Sequence, residues 1–135
     1  TEIVSTLLKK KVNGQNLKNI VFISAILSKF GARGHNLYSA TKAALDGLMR
    51  SLALELSPEI RVNSILPGAI KTPMSELAYQ NPEILAKMQN DYPLGTGKPE
   101  DIANLVEFII SEKANWITGQ QIIVDGGRTI NFSQK

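Results

Sequence analysis

Cysteine is absent from the 135 residues and histidine occurs once, at His35. The first absence excludes a disulfide framework and any thiolate metal site, and it fits a reducing compartment, so a cytoplasmic location is expected. The second leaves His35 without the partners a metal centre needs, so no metal is expected. His35 sits in a glycine-containing loop, where a solvent-exposed ring and a contact with a polar substrate are both open to it. No apolar run reaches the roughly 18 residues of a membrane span, and the first residues lack the basic, apolar and small segments of a signal peptide. A membrane partner is therefore not expected. Charge of one sign is also scarce. Fifteen Lys and Arg stand against 12 Asp and Glu, and the resulting net charge of +3 is too small to imply a nucleic-acid partner. The one basic run, Lys9, Lys10 and Lys11, suits either a solvated helix end favoured by the helix dipole or a docking patch.

What remains is the composition of an ordinary globular domain, 43% hydrophobic and 20% charged, so residues 1–135 are expected to form one domain. Ile3, Val4, Leu7 and Leu8 recur at helical spacing, and VNGQN then carries turn chemistry. Because the chain begins at Thr1 already inside that pattern, an upstream segment is expected. NIVFIS, residues 19–24, is a short apolar run rich in β-branched types, as in a strand covered on both faces. AILSKFGARGHN reads as the loop at its carboxyl end.

From Leu37 to about Leu56, the residues Leu45, Leu48, Met49, Leu52 and Leu56 follow the helical period, and Ala40, Ala43, Ala44 and Gly47 line another side. Two buried faces are expected, with Asp46 and Arg50 paired on the polar strip between them. Pro58 should end the helix. RVNSILPG reads as a second strand running into a Pro-Gly turn, PEILAKMQ and PEDIANLVEFII as helices with proline near their first turns, and QIIVDGG as a third strand. Strands alternating with helices predict an α/β fold with a parallel sheet. Three such strands leave unpaired edges, so further strands are expected to complete the sheet.

The stretch NLYSATKAAL carries chemistry. Tyr38 and Lys42 lie four positions apart, so they project from one helix face. A free phenol titrates near 10, poorly matched to proton transfer at neutral pH, and a nearby ammonium favours its ionised form. Such a pair can act as acid or base toward a carbonyl or alcohol oxygen. It follows a strand and its loop, and ligands of open α/β sheets bind beyond the carboxyl ends of the strands.

In order along the chain, NIVFIS, YSATKAAL, RVNSILPGAIKT, PEDIANLVEFI and ITGQQIIVDGG resemble the classical short-chain dehydrogenase/reductase family, in the subgroup typified by β-ketoacyl-[acyl-carrier-protein] reductases. The resemblance implies a Rossmann-like doubly wound parallel sheet of which this chain is the C-terminal half, the N-terminal dinucleotide-binding half being absent. It implies NAD or NADP as cofactor, a small carbonyl or alcohol substrate, and a homodimer or homotetramer built through the Tyr38 helix. Tyr38 matches the family's acid/base, and Lys42 the lysine that supports it and holds the nicotinamide ribose. Pro67 and Gly68 begin the turn against the nicotinamide, with Ile70 offering backbone groups to the carboxamide and Thr72 a hydroxyl near the carboxamide or pyrophosphate. Met74, Tyr79 and Met88 fall in the segment that forms a mobile substrate lid in the family, with ordinary helix packing as the alternative. Trp116 takes the place of an aromatic packing residue, which implies a core position.

Two departures qualify this pattern. Counting 13 residues back from Tyr38, where the family places its catalytic serine, reaches Ala25. Ser24 occupies the preceding position and Ser28 lies further into the loop. Loss of one donor to a developing oxyanion costs on the order of a hundredfold in rate. Either Ser24 or Ser28 supplies that hydroxyl, or tyrosine and lysine act alone, or the protein is a non-catalytic dinucleotide-binding or scaffolding relative. The Gly-rich phosphate turn of the dinucleotide fold is also missing. Gly31 and Gly34 do not replace it, because they follow the wrong strand at the wrong spacing.

Overall fold

Three short apolar segments, β1 (Asn19–Ile23), β2 (Arg61–Pro67) and β3 (Gln121–Val124), form one parallel sheet in the order β1-β2-β3. In this computed structural model, residues 17–131 are described, together with helical Glu2, Ser5 and Thr6. The expected helix at Ile3, Val4, Leu7 and Leu8, the Lys9–Lys11 run and the VNGQN turn lie outside the described residues. Residues 17–131 hold four α-helices, α1 (Asn36–Glu55), α2 (Glu76–Gln80), α3 (Pro82–Asp91) and α4 (Pro99–Ile110), of which α1 and α4 pack on the strands. Each of α3 and α4 opens on a proline, whose missing N–H costs nothing in a first turn.

The core lies where α1 crosses the sheet. Met49, Leu52 and Ala53 pack with Ile60 and Val62, and Ile20 and Phe22 of β1 close the cluster. Burying a side chain the size of Met or Leu stabilises by about 1.5–3 kcal/mol, so this contact dominates the fold's cohesion. Side chains alternate along a strand, so Asn19 projects to the face opposite Ile20 and Phe22. Its amide donates to the Ile110 carbonyl at the end of α4, 3.1 Å away. Hence α1 and α4 cover opposite faces, as a doubly wound sheet requires.

Polar side chains extend this order where strand pairing stops. Asn63, fully buried, donates to the Ile117 carbonyl and accepts the Gln120 N–H, both at 3.0 Å, which holds the 117–120 loop alongside β2. The Arg61 guanidinium reaches the Ile109, Ser111 and Ile117 carbonyls at 2.7, 3.2 and 3.0 Å. A cation there satisfies carbonyls that the end of α4 leaves unpaired.

Several expectations are corrected. Asp46 is not on a polar strip with Arg50; it is 2% exposed and its Oδ1 accepts the Ser64 hydroxyl at 2.7 Å, tying α1 to β2. A helix wheel sees only its own helix, whereas the neighbouring strand supplied the better partner. The small-residue side of α1 is open, with Ala40, Ala43 and Ala44 exposed. Only β2 is buried on both faces; β1 is half-buried and Ile23 exposed. Trp116 is not in the core but 97% exposed, because the loop that carries it is turned outward from β2 while Ile117 and Thr118 make the contacts.

Candidate functional site

The carboxyl end of β1 leads directly into the site. Ser24 continues the ladder by donating its N–H to the Ile65 carbonyl at 2.8 Å. Two bonds then run between this strand end and α1. Lys42 Nζ donates to the Ile23 carbonyl at 3.0 Å, and the Ser24 hydroxyl donates to the Lys42 carbonyl at 3.3 Å. One turn toward the helix start stands Tyr38, half-exposed, its ring centroid 5.6 Å from Lys42 Nζ. A cation at that distance attracts the face of the ring. The ring of His35 meets Tyr38 edge-on, with centroids 6.3 Å apart and planes at 80°. His35 Nδ1 lies 3.0 Å from the Arg33 carbonyl, which only accepts, so Nδ1 carries a proton and Nε2 remains for another partner.

Neither nearby serine directs its hydroxyl at the phenol. Ser24 is buried and engaged with the helix backbone, Ser28 is partly buried with no partner for its hydroxyl, and buried Ala25 fills the position between Ser24 and Ile26.

At the end of β2, next in the sheet, Pro67 and Gly68 open a turn held at almost every atom. The Gly68 N–H donates to the Val124 carbonyl at 2.9 Å, the Ala69 carbonyl accepts the Gly97 N–H at 2.9 Å, and the Lys71 N–H donates to the Gly97 carbonyl at 3.0 Å. The Ser75 hydroxyl donates to the Ile70 carbonyl at 2.8 Å, and its oxygen lies 3.3 Å from the Thr72 hydroxyl. The Ile70 N–H has no partner among the described residues. No side chain longer than hydrogen fits at Gly68, where a Cβ would lie 2.8 Å from Tyr92 Cε1 and 2.9 Å from the Asp125 backbone.

Tyr92 had no counterpart in the sequence reading. Its phenol oxygen accepts the Ala69 N–H at 3.0 Å. Burial pushes its pKa above the ordinary value of 10.0; the Ala69 bond and the charge of Arg128 oppose the rise, and Asp125 and Tyr79 add to it. Asp125 itself accepts the Gly127 and Thr129 N–H groups at 3.0 and 2.7 Å, shaping the loop after β3. Behind the turn lies a cavity of about 310 Å³ bounded by Ala69, Ile70, Leu94, Gly97 and Asp125, separate from Tyr38 and Lys42.

Residues 3–129 match the family model described as Enoyl-(Acyl carrier protein) reductase. The chain belongs to the short-chain dehydrogenase/reductase family. It is 43% identical over 115 residues to a tropinone reductase homolog of Arabidopsis thaliana, covering 84% of this chain and 43% of that protein. It is also 43% identical over 120 residues to the 3-oxoacyl-[acyl-carrier-protein] reductase of Aquifex aeolicus, covering 87% and 48%. The fold is similar to that of a 4-hydroxyisoleucine dehydrogenase mutant complexed with NADH and succinate, with a TM-score of 0.89 and 30% identity over 98% of this chain and 55% of that one. The chain thus spans about half the length of the relatives it matches. This short-chain dehydrogenase/reductase chain places Lys42 of α1 against the carboxyl end of β1, with Tyr38 one turn away, and the Pro67–Thr72 turn at the carboxyl end of the adjacent strand β2. Among its described residues no helix is long and apolar enough to cross a membrane, and no cluster of metal-ligating side chains occurs.

Proposed function

We propose that this chain supplies the proton-transfer pair and the nicotinamide side of an NAD(P)-dependent oxidoreductase that reduces a carbonyl or oxidises the corresponding alcohol. The observation that carries the proposal is the anchoring of Lys42 to the Ile23 carbonyl one turn below an exposed Tyr38, at the carboxyl end of a parallel strand. Tyr38 gives its proton to the substrate oxygen in reduction and takes it back in oxidation. Lys42 keeps a positive charge beside the phenolate left behind and offers hydrogen bonds to a ribose.

The turn fits a nicotinamide. Gly68 lets the turn pack directly against Tyr92 and Asp125, and the unpaired Ile70 N–H is a donor for a carboxamide oxygen; Pro67 and Thr72 frame the same turn. When bound, the dinucleotide supplies or removes hydride at the substrate carbon. Because the phosphate turn is absent from these residues, the other half of the dinucleotide is assigned to a segment outside them. The open face of α1, with Ala40, Ala43 and Ala44 flanked by Leu37 and Leu54 at 79% and 83% exposure, suits close contact with a second subunit. The absence of cysteine suits a cytoplasmic setting.

A donor role for Ser24 requires its hydroxyl to leave the Lys42 carbonyl. That engagement, with Ala25 beside it, favours one second reading, a dinucleotide-binding or scaffolding protein without turnover. The full-length protein decides between them when assayed for cofactor-dependent reduction over a panel of carbonyls that includes a 3-oxoacyl thioester and tropinone. Turnover that disappears in Tyr38→Phe supports the oxidoreductase; no turnover in wild type with a large gain in Ala25→Ser supports the second reading.

A further inference from the structure

Tyr92 joins three parts of the molecule that the sequence keeps apart. It closes α3, its N–H donating to the Met88 carbonyl at 3.1 Å. Its ring lies against Gly68 and Gly126, and its phenol oxygen accepts the Ala69 N–H. The clamp on Ala69 is two-sided, because the Ala69 carbonyl accepts from Gly97. In a planar trans peptide the N–H opposes the C=O, so fixing the Ala69 carbonyl toward Gly97 turns the Ile70 N–H the other way. That settles one peptide plane. The preceding one, between Gly68 and Ala69, follows a residue with no Cβ to restrict it, and only the Tyr92 phenol engages its N–H.

The same turn is held from the other end of the same segment. Ser75, just before α2, donates to the Ile70 carbonyl at 2.8 Å. Residues 76–91, which form α2 and α3, therefore begin and end on side chains bonded to Ala69 and Ile70. Beyond them, Asp91 meets Arg128 at 3.4 Å and the Asn131 amide reaches the Asp91 carbonyl at 3.1 Å, which fixes the far end of α3 to the loop after β3.

We propose that Tyr92 is a positioning residue for the nicotinamide: its phenol fixes the Gly68–Ala69 peptide, the free joint before the plane that Gly97 holds, so that this plane and its Ile70 N–H stay placed for the carboxamide, and through α3 it couples residues 76–91 to occupancy of that turn. This rests on the assignment of the Pro67–Thr72 turn to the nicotinamide. Phenylalanine keeps the ring against Gly68 and removes the acceptor.

The test compares two probes on the full-length protein: the reduced dinucleotide, and ADP-ribose, which has the phosphates but no nicotinamide. In Tyr92→Phe the dissociation constant for the dinucleotide rises about fivefold, the equivalent of one hydrogen bond, while that for ADP-ribose is unchanged. Equal affinity of both proteins for the dinucleotide overturns the proposal, and so does an equal loss for both probes, which marks a general structural role. Failure of wild type to bind the dinucleotide at all overturns the assignment of the turn itself. Should Tyr92→Phe not fold, amide exchange in wild type decides: the dinucleotide slows exchange across residues 76–91 and ADP-ribose does not, whereas equal slowing by both contradicts the coupling.

Discussion

The ends of β1 and β2 are adjacent in the sheet and built on opposite plans. At β1 the reactive groups ride on one long helix, fixed to the strand by two bonds at Lys42, and Tyr38 is left half-exposed with no hydroxyl directed at it. At β2 the proposed functional part is the backbone itself, held by side chains from further along the chain, the Tyr92 phenol at Ala69 and the Ser75 hydroxyl at Ile70. A group that must move a proton needs access and a steady charge nearby, which a helix provides through one anchored turn. A backbone that must present a single N–H needs its peptide planes fixed, which takes many partners. The proposed chemistry is thus concentrated in two residues at one strand end and dispersed over several at the other.

Substitutions should separate the two plans. The largest effect is expected at β1 in Lys42→Met, which removes both the charge beside Tyr38 and the bond to Ile23. Its kcat/KM should fall by about a hundredfold with little change in thermal midpoint. Ser64→Ala, in the shared support behind both ends, leaves the buried Asp46 carboxylate without its donor. A loss of about 3 kcal/mol in denaturant unfolding is expected, since the stranded acceptor is an acid. At β2, Gly68→Ala drives a methyl group into Tyr92 and the Asp125 backbone. It should cost about 2 kcal/mol and weaken dinucleotide binding as well, a combination that Lys42→Met does not produce.

Stability should also depend on alkaline pH through Tyr92. Its folded pKa is raised above the unfolded value of 10.0, so its contribution is complete below that pH and is lost as pH rises through the folded value. Unfolding curves of Tyr92→Phe should be flatter above that pH than those of wild type. The smallest effect belongs to Arg128→Ala, since its pair with Asp91 is over a third exposed on both sides and worth less than about 1 kcal/mol.

Periodicity made α1 legible within a residue at either end, and β-branched runs made all three strands legible, because these signals are local. The proximity of Tyr38 and Lys42 was legible for the same reason, since they are one turn apart. Asp46 was misplaced because its partner, Ser64, belongs to a different element 18 residues away. Tyr92 gave no signal: the atom it holds is a backbone N–H 23 residues distant, and no side-chain pattern marks such a target. Trp116 misled because an aromatic side chain predicts burial only when something packs on it.

The central claim is that Tyr38 transfers the proton while the turn after β2 holds the nicotinamide. Single-turnover hydride transfer in the full-length protein, saturated with reduced dinucleotide, tests it most directly in Tyr38→Phe. The account predicts unchanged dinucleotide affinity and a transfer rate lower by at least about a hundredfold. A transfer rate equal to that of wild type would contradict it.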